Sequence, residues 1–499
     1  MSEPTEQKII QFRLPITALD LKRIGFILLG LFLFFWLYLA DPLPDAIDPM
    51  GEHFPLTREG KAAIALFLLA GTWWVFEVVP IGVTSLLIGV VQALFLIRPP
   101  SVAFKDFMDP SVLFIFGSLV IGIVFTKVGL SRRISYKMLT IVGERTSMIY
   151  LGCFIVTAVL THFMAHTAVA ATMFPVLMAI YSLYGEGDKP TKFGKGLFIG
   201  MAFVAGAGSM ITLLGAARGA VALGFFNDIV EREVTFFEYT FYLFPVGWIM
   251  VFLCWIMMMV MFKPEKKEIA GLRDKAKRLY KEAGPITRDE IFVALVVLAV
   301  IVTLSMKSFI PEMSFIDKTS VVLLSTIIFF LFKILTIKEL EQIPWNIILL
   351  FAGAMSIGFC LWETGAAKWL AINWLAMFKD ANWFVFVLGI SFFVMIMTNF
   401  IMNVAAIAIS LPVALVIAPY LGVAPELVLY SALIVSACPF LLLVGAAPNA
   451  IAYDSKQFTT GQFFVAGIPA SIVLMAVVAL AIGIIWPLMG MPITIPVGQ

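Results

Sequence analysis

Two of the three histidines in this 499-residue chain stand four apart in the apolar run "THFMAHTAVAATMFP", as His162 and His166. An arginine, Arg218, lies in a second apolar run within "GAARGA", and Pro448 and Asn449 lie in a third within "GAAPNA". Polar groups set in long apolar segments point to function, because each is costly unless it has a partner or lines a watered space. Arginine stays charged at any physiological pH, and its planar fork of donors suits carboxylate, sulfate or phosphate. His166 admits three readings: a neutral hydrogen-bond donor, a titrating group that moves protons, or, with His162, an i,i+4 metal face. The metal face has the least support, since no Cys, Asp or Glu lies nearby to complete a ligand set.

The solvent around these residues follows from composition. The chain is 61% hydrophobic and 13% charged, with a mean hydropathy of +1.02, too little polar surface for a soluble protein of this length. Apolar runs long enough to span a bilayer recur, as at Ile24–Ala40, Ala62–Ile97 and Ala466–Met489. An all-α, polytopic membrane protein is predicted, in the cell's inner (plasma) membrane. The first run is a retained helix, with "LKR" at Leu21–Arg23 holding the N-terminus in the cytoplasm. Its aromatic-rich sequence reads as lipid-facing or dimer-supporting surface. Basic residues gather in short loops, which reports topology and excludes a nucleic-acid groove. Cys153, Cys254, Cys360 and Cys438 fall in apolar runs without metal-ligand spacing and read as small buried hydrophobes.

One long polar stretch, residues 262–290, divides the membrane part and reads as a cytoplasmic linker with a short surface helix. The expected division is residues 1–60 (N-terminal segment and first helix), 61–261 (first repeat), 262–290 (linker) and 291–499 (second repeat). Three alignments support the repeat. "FIFGSLVIGIVFTKVGL" from Phe114 lies on "LFAGAMSIGFCLWETGA" from Leu350, so that Gly117, Gly122 and Gly129 match Gly353, Gly358 and Gly365. Residues Ala165–Pro175 lie on Met402–Pro412, and Gly215–Ala220 on Gly445–Ala450. Interrupted apolar segments at matching places in two halves are the mark of a secondary transporter with its site near the bilayer midplane. Each break frees N–H groups at the start of a half-helix, and in low dielectric these attract anions. The breaks are expected at Gly206–Gly219 and Leu443–Asn449. Gly117 and Gly353 are equally readable as points of close helix packing.

Residues 60–490 resemble the divalent-anion:sodium symporters (DASS). The similarity rests on "WWVFEVVPIGVTSLL" from Trp73, "IPWNIILLFAGAMSIGFCLWETGAAKWLA" from Ile343 and "GAAPNAIAYDSKQFTTGQFFVAG" from Gly445, in that order. The resemblance implies inverted repeats with re-entrant hairpins, a homodimer, and a transport domain that slides like an elevator against a scaffold. It also implies a Ser-Asn-Thr motif at each hairpin tip, holding a substrate carboxylate and framing sodium. Counting back from Pro175, the first tip is Ala165, His166 and Thr167. Counting back from Pro412, the second is Met402, Asn403 and Val404. A Gly-Thr-Pro-Pro-Asn-type break becomes Gly215, Ala216, Ala217, Arg218 and Gly219 in the first half, while Pro448 and Asn449 remain in the second.

Sodium needs about five or six oxygen ligands, and the first half replaces oxygens with Ala165, His166 and a fixed cation. Arg218 therefore either supplies the charge that bound sodium supplies elsewhere, or pairs structurally with Glu77 or Glu363. His162 is expected to satisfy a neighbouring helix, and Glu77, Lys127 and Glu363 to be structural. The substrate-binding set is His166, Thr167, Arg218, Asn403, Val404, Pro448 and Asn449, with Asn403 and Asn449 as a residual sodium site. No cofactor is expected; sodium or a proton is the coupling ion. The function expected is secondary transport of small anions, dicarboxylates first, by exchange or proton coupling. The alternatives are a sodium-coupled symporter of sulfate, sulfonate or another small anion, an intramembrane enzyme and an anion channel. Against an enzyme, no HExxH, Gly-x-Ser-x-Gly or paired catalytic aspartates occur.

Overall fold

The computed structural model describes residues 18–47, 52–184, 189–215, 217–313, 315–378, 382–400 and 402–495. Helix α1 (Ala18–Leu39) comes first and leaves Phe32 and Trp36 about three-fifths exposed, as a lipid-facing helix would. Two series of helices then run in matching order. The first comprises α2 (Arg58–Val75), α3 (Ile81–Leu94), α4 (Pro100–Lys105), α5 (Pro110–Lys127), α6 (Leu130–Val142), α7 (Thr146–Leu160), α8 (His166–Tyr184), α9 (Lys192–Ser209), α10 (Ala217–Val230) and α11 (Phe236–Met261). A linker helix, α12 (Leu272–Glu282), follows. The second series is α13 (Arg288–Met306), α14 (Lys318–Leu331), α15 (Ile337–Glu341), α16 (Trp345–Glu363), α17 (Ala366–Phe378), α18 (Trp383–Phe400), α19 (Asn403–Tyr420), α20 (Pro425–Ser436), α21 (Ala447–Tyr453) and α22 (Thr460–Leu480). Among the described residues, nine helices are long and apolar enough to cross a membrane.

Both series open alike. Thr57 caps α2 by accepting from the Gly60 N–H at 2.9 Å, and Thr287 caps α13 by accepting from Glu290 at 3.1 Å. The halves then interlock: α3 packs on α16 while α14 packs on α5, and α8 packs on α21 while α19 packs on α10. Gly353 brings α16 onto Ser85 of α3, and Gly117 brings α5 onto Val322 of α14. These two glycines are packing points, where a side chain would push the helices apart.

Several buried charges in this frame are paired. Arg98 donates to Asp106 at 2.7 Å and to Glu363 at 2.8 Å, and Gln92 donates to Ser356 at 2.8 Å. At the linker end, Arg133 donates to Glu290 at 2.7 Å and to the Gly284 carbonyl at 2.9 Å. Lys127 pairs with Glu339. Glu77 adopts a left-handed backbone (φ 43°) in the turn between α2 and α3.

Several boundaries differ from the sequence reading. The apolar run Ala62–Ile97 is two helices, because Pro80 has no N–H to continue α2 and instead starts α3. Helix α1 includes Ala18–Arg23, ahead of the apolar run from Ile24. Gly206 lies inside α9, its missing side chain making room for the Ala437 carbonyl 2.5 Å from where a Cβ would stand.

Candidate functional site

The first hairpin is α7 and α8, interrupted at residues 161–165; the second is α18 and α19, with Met402 outside either helix before α19 begins. Small residues before Pro175 and Pro412 let each returning helix start abruptly at its tip, so α8 begins at His166 and α19 at Asn403. The breaks follow α9 and α20. The second opens at Ala437, earlier than the expected Leu443, since Pro439 cannot donate and Cys438 before it is steered out of the helical region. Pro448 falls in the first turn of α21, where a missing N–H costs nothing.

Both tips and both breaks meet at one cavity of about 740 Å³. His166, Thr167, Arg218, Asn403 and Val404 line it, with Ala217 and Ala447 beside them. Thus α8, α10, α19 and α21 all start at this wall, directing their free N–H groups and positive dipole ends toward it. Lys127, Arg132 and Glu339 also border the cavity, at the end of α5 nearest the linker. A second cavity of about 680 Å³ lies at the other end of α5, bordered by Pro110, Ser111, Asn227 and Asp228. Helix α10 runs from one cavity to the other.

Arg218 is 2% exposed. Its Nη2 donates to Ser209 Oγ at 3.0 Å, and its Nε has no partner among the described residues. The expected alternative, pairing with Glu77 or Glu363, does not occur: Glu363 is held by Arg98 and Glu77 sits in the α2–α3 turn. Nδ1 of His166 likewise lacks a partner.

Asn403 accepts from the Thr398 hydroxyl at 3.2 Å, and the same hydroxyl lies 3.2 Å from the Ser436 carbonyl. Asn449 and Pro448 are buried outside the cavity lining. The Asn449 amide donates to the carbonyls of Pro439 at 2.8 Å and Leu442 at 3.1 Å, satisfying backbone that the break leaves open.

His162 does not hydrogen-bond a neighbouring helix as expected. Both ring nitrogens lack partners, and the ring stands edge-on to Trp248 of α11 at 5.9 Å. Its carbonyl accepts from Thr212 at 2.8 Å. Four residues of this region escaped the sequence reading: Thr212, Ser209, Thr398 and Asn399. Asn399 accepts from the Leu441 N–H at 2.7 Å and donates to Met395 at 2.7 Å. The available signal was a polar pair just before each tip, "TH" in one half and "TN" in the other.

A family model described as "Sodium:sulfate symporter transmembrane region" matches residues 28–492. The sodium-dependent dicarboxylate transporter SdcS of Staphylococcus saprophyticus is 24% identical over 463 residues, covering 88% of this chain and 89% of the relative. Two solved structures share the fold at 12% identity. MtrF of Neisseria gonorrhoeae, from a class of antimetabolite efflux pumps, gives a TM-score of 0.57 and covers 95% of this chain and 96% of its own. The YdaH transporter of Alcanivorax borkumensis gives 0.54, with 95% and 98% covered. Their likeness is one of fold, whereas the match over residues 28–492 reaches both hairpins and both breaks, and by it the chain belongs to the sodium:sulfate symporter family, the divalent-anion:sodium symporters, which are membrane transporters and not enzymes.

Proposed function

We propose that the chain carries small anions, dicarboxylates first, by an elevator mechanism that needs no sodium at the first-half site. One observation carries this reading: a buried guanidinium without an acidic partner stands where the two tips and two breaks converge. A cation there repels sodium and attracts a carboxylate, so the charge that bound sodium brings elsewhere is built into Arg218. The substrate set is then Arg218, His166 and Thr167 from the first half and Asn403 and Val404 from the second. Asn449 and Pro448 act through the shape of the second break. The named relative, a sodium-dependent dicarboxylate transporter, supports dicarboxylate as the substrate class.

Two cavities at opposite ends of α5 and α10 support alternating access. The remaining features of this reading are a homodimer in the inner membrane, a cytoplasmic N-terminus, and the larger cavity opening to the cytoplasm. The basic linker beside Arg133 supports that orientation.

Counterflow tests the proposal. Proteoliposomes loaded with unlabelled succinate take up labelled succinate saturably when choline replaces sodium. Strict dependence on sodium overturns sodium-free exchange and favours a second reading, in which Thr398 Oγ1, Asn403 Oδ1 and the Ser436 carbonyl hold a sodium ion in the second half. Flux that never saturates identifies a channel instead.

A further inference from the structure

Arg218 presents a question that the substrate alone does not answer. A guanidinium taken out of water is costly unless a counter-charge and hydrogen bonds replace its hydration. Its protein partner is a neutral hydroxyl, Ser209, and the titratable groups facing it from neighbouring elements are Tyr239, Cys438 and His166. The carboxylate bordering the same cavity, Glu339, is taken by Lys127 at the mouth. No protein anion among the described residues balances Arg218.

Behind it stands a second donor in the same condition. Tyr239 of α11 is fully buried, and its hydroxyl has no partner among the described residues. That hydroxyl lies against the first turn of α10, 2.7 Å from where a Cβ on Gly219 would stand. Helix α10 is fourteen residues long and starts here, so its first N–H groups have no partner within the helix. Arg218 Nε and Tyr239 Oη are thus buried donors without partners among the described residues, one on the first turn of α10 and the other packed against it.

We propose that Arg218, Tyr239 and the first turn of α10 hold a monovalent inorganic anion, a halide in chloride-containing media, whenever no carboxylate substrate is bound. One fixed charge sets the valence: a single negative charge balances it, and a second at this spot would be unbalanced in low dielectric. A sphere also needs only a few donors, and Arg218 Nε and Tyr239 Oη are both without partners among the described residues. The proposal rests on the substrate reading in one respect, that a substrate carboxylate takes the same guanidinium and so displaces the halide.

The test uses purified full-length chain in detergent, exchanged into sodium gluconate. Sodium bromide is titrated in at constant ionic strength while thermal unfolding is followed. Wild type gains Tm saturably; Arg218→Gln gains none; Tyr239→Phe needs about tenfold more bromide for the same gain. In wild type the apparent Kd of succinate rises in proportion to bromide. A flat Tm in wild type, or a bromide response kept by Arg218→Gln, overturns the proposal. Where Arg218→Gln does not fold, an unchanged response in Tyr239→Phe together with no bromide anomalous scattering beside Arg218 overturns it. Bromide acting through Arg218 while succinate does not leaves the halide site standing and removes the carboxylate reading. Succinate acting through Arg218 while bromide does not has the reverse meaning.

Discussion

The two hairpin tips are built on one backbone plan and carry different chemistry. Asn399 turns its amide onto the Leu441 N–H and pins the second break to the second hairpin. The matching residue of the first hairpin, His162, makes no side-chain hydrogen bond and rests against Trp248. There the Thr212 hydroxyl does the pinning instead, by donating to the His162 carbonyl. The breaks diverge further, with buried Arg218 in one and Pro448 at the matching place in the other. Convergent helix N-termini belong to the plan, whereas the source of positive charge belongs to one half. A duplicated frame therefore permits one site to be rebuilt while the other stays neutral.

The strongest way to break this comparison is Arg218→Ala. Losing a charge-assisted contact at a desolvated site costs roughly 2–5 kcal/mol, so succinate binding, followed by calorimetry, falls to near background. Wild-type affinity in a folded variant means that the asymmetry is structural and the site lies elsewhere.

A pair of substitutions sharpens the contrast at the matching hairpin positions. Asn399→Leu strips the part-buried Leu441 N–H of its side-chain acceptor, and should lower stability by about 1–3 kcal/mol. His162→Leu removes a ring without hydrogen bonds and should change stability by less than about 1 kcal/mol. Equal losses in thermal unfolding would erase the distinction.

His166→Asn places an amide at both tips. Succinate affinity should stay within about tenfold of wild type, and any change of exchange rate between roughly pH 5 and 8 should shrink. An undiminished pH profile removes His166 from proton coupling and leaves the arginine argument intact.

The smallest expected effect lies outside the membrane, at the start of α9. Burial raises the Glu265 carboxyl, but N–H groups of Lys192 and Phe193 and the Tyr184 hydroxyl outweigh it, so the group ends below its usual range. A depressed carboxyl adds stability that is present above the ordinary carboxylate range and lost as pH falls through the lowered value. Glu265→Gln should therefore lower Tm slightly at pH 7 and make no difference in strong acid. The equivalent start in the second half is Pro425, which has no N–H to hold. An equal deficit for Glu265→Gln at both pH values would show a packing role instead.

The order of small residues, proline and glycine repeats along the chain, so the paired hairpins and breaks were legible in it. Arg218, His166 and Asn403 announced themselves as polar residues among apolar ones. Partners far apart in sequence were not legible: Glu363 was open to Arg218 until the fold gave it Arg98, 265 positions away. Gly206 looked like part of a break because glycine serves equally for a turn and for a close contact. Asn399 and Asn449 were hard to rank, since an amide that satisfies open backbone and one that meets substrate are the same residue in a string of letters.

The passage of α10 between the two cavities has an electrical consequence. Arg218 at one cavity and Asp228 at the other are ten residues apart, about 15 Å along the helix. In the proposed alternating-access cycle the two cavities open to opposite sides, and water in them would carry little of the membrane voltage, so most of it would fall across this short stretch. One charge crossing 100 mV is worth about 2.3 kcal/mol. On the proposed reading, a dicarboxylate dianion beside Arg218 would move as a net single negative charge, and exchange of one dianion for another would return that charge and draw no current. Exchange of a dianion for a monovalent anion leaves one charge across per cycle, and a planar bilayer under voltage clamp registers the difference.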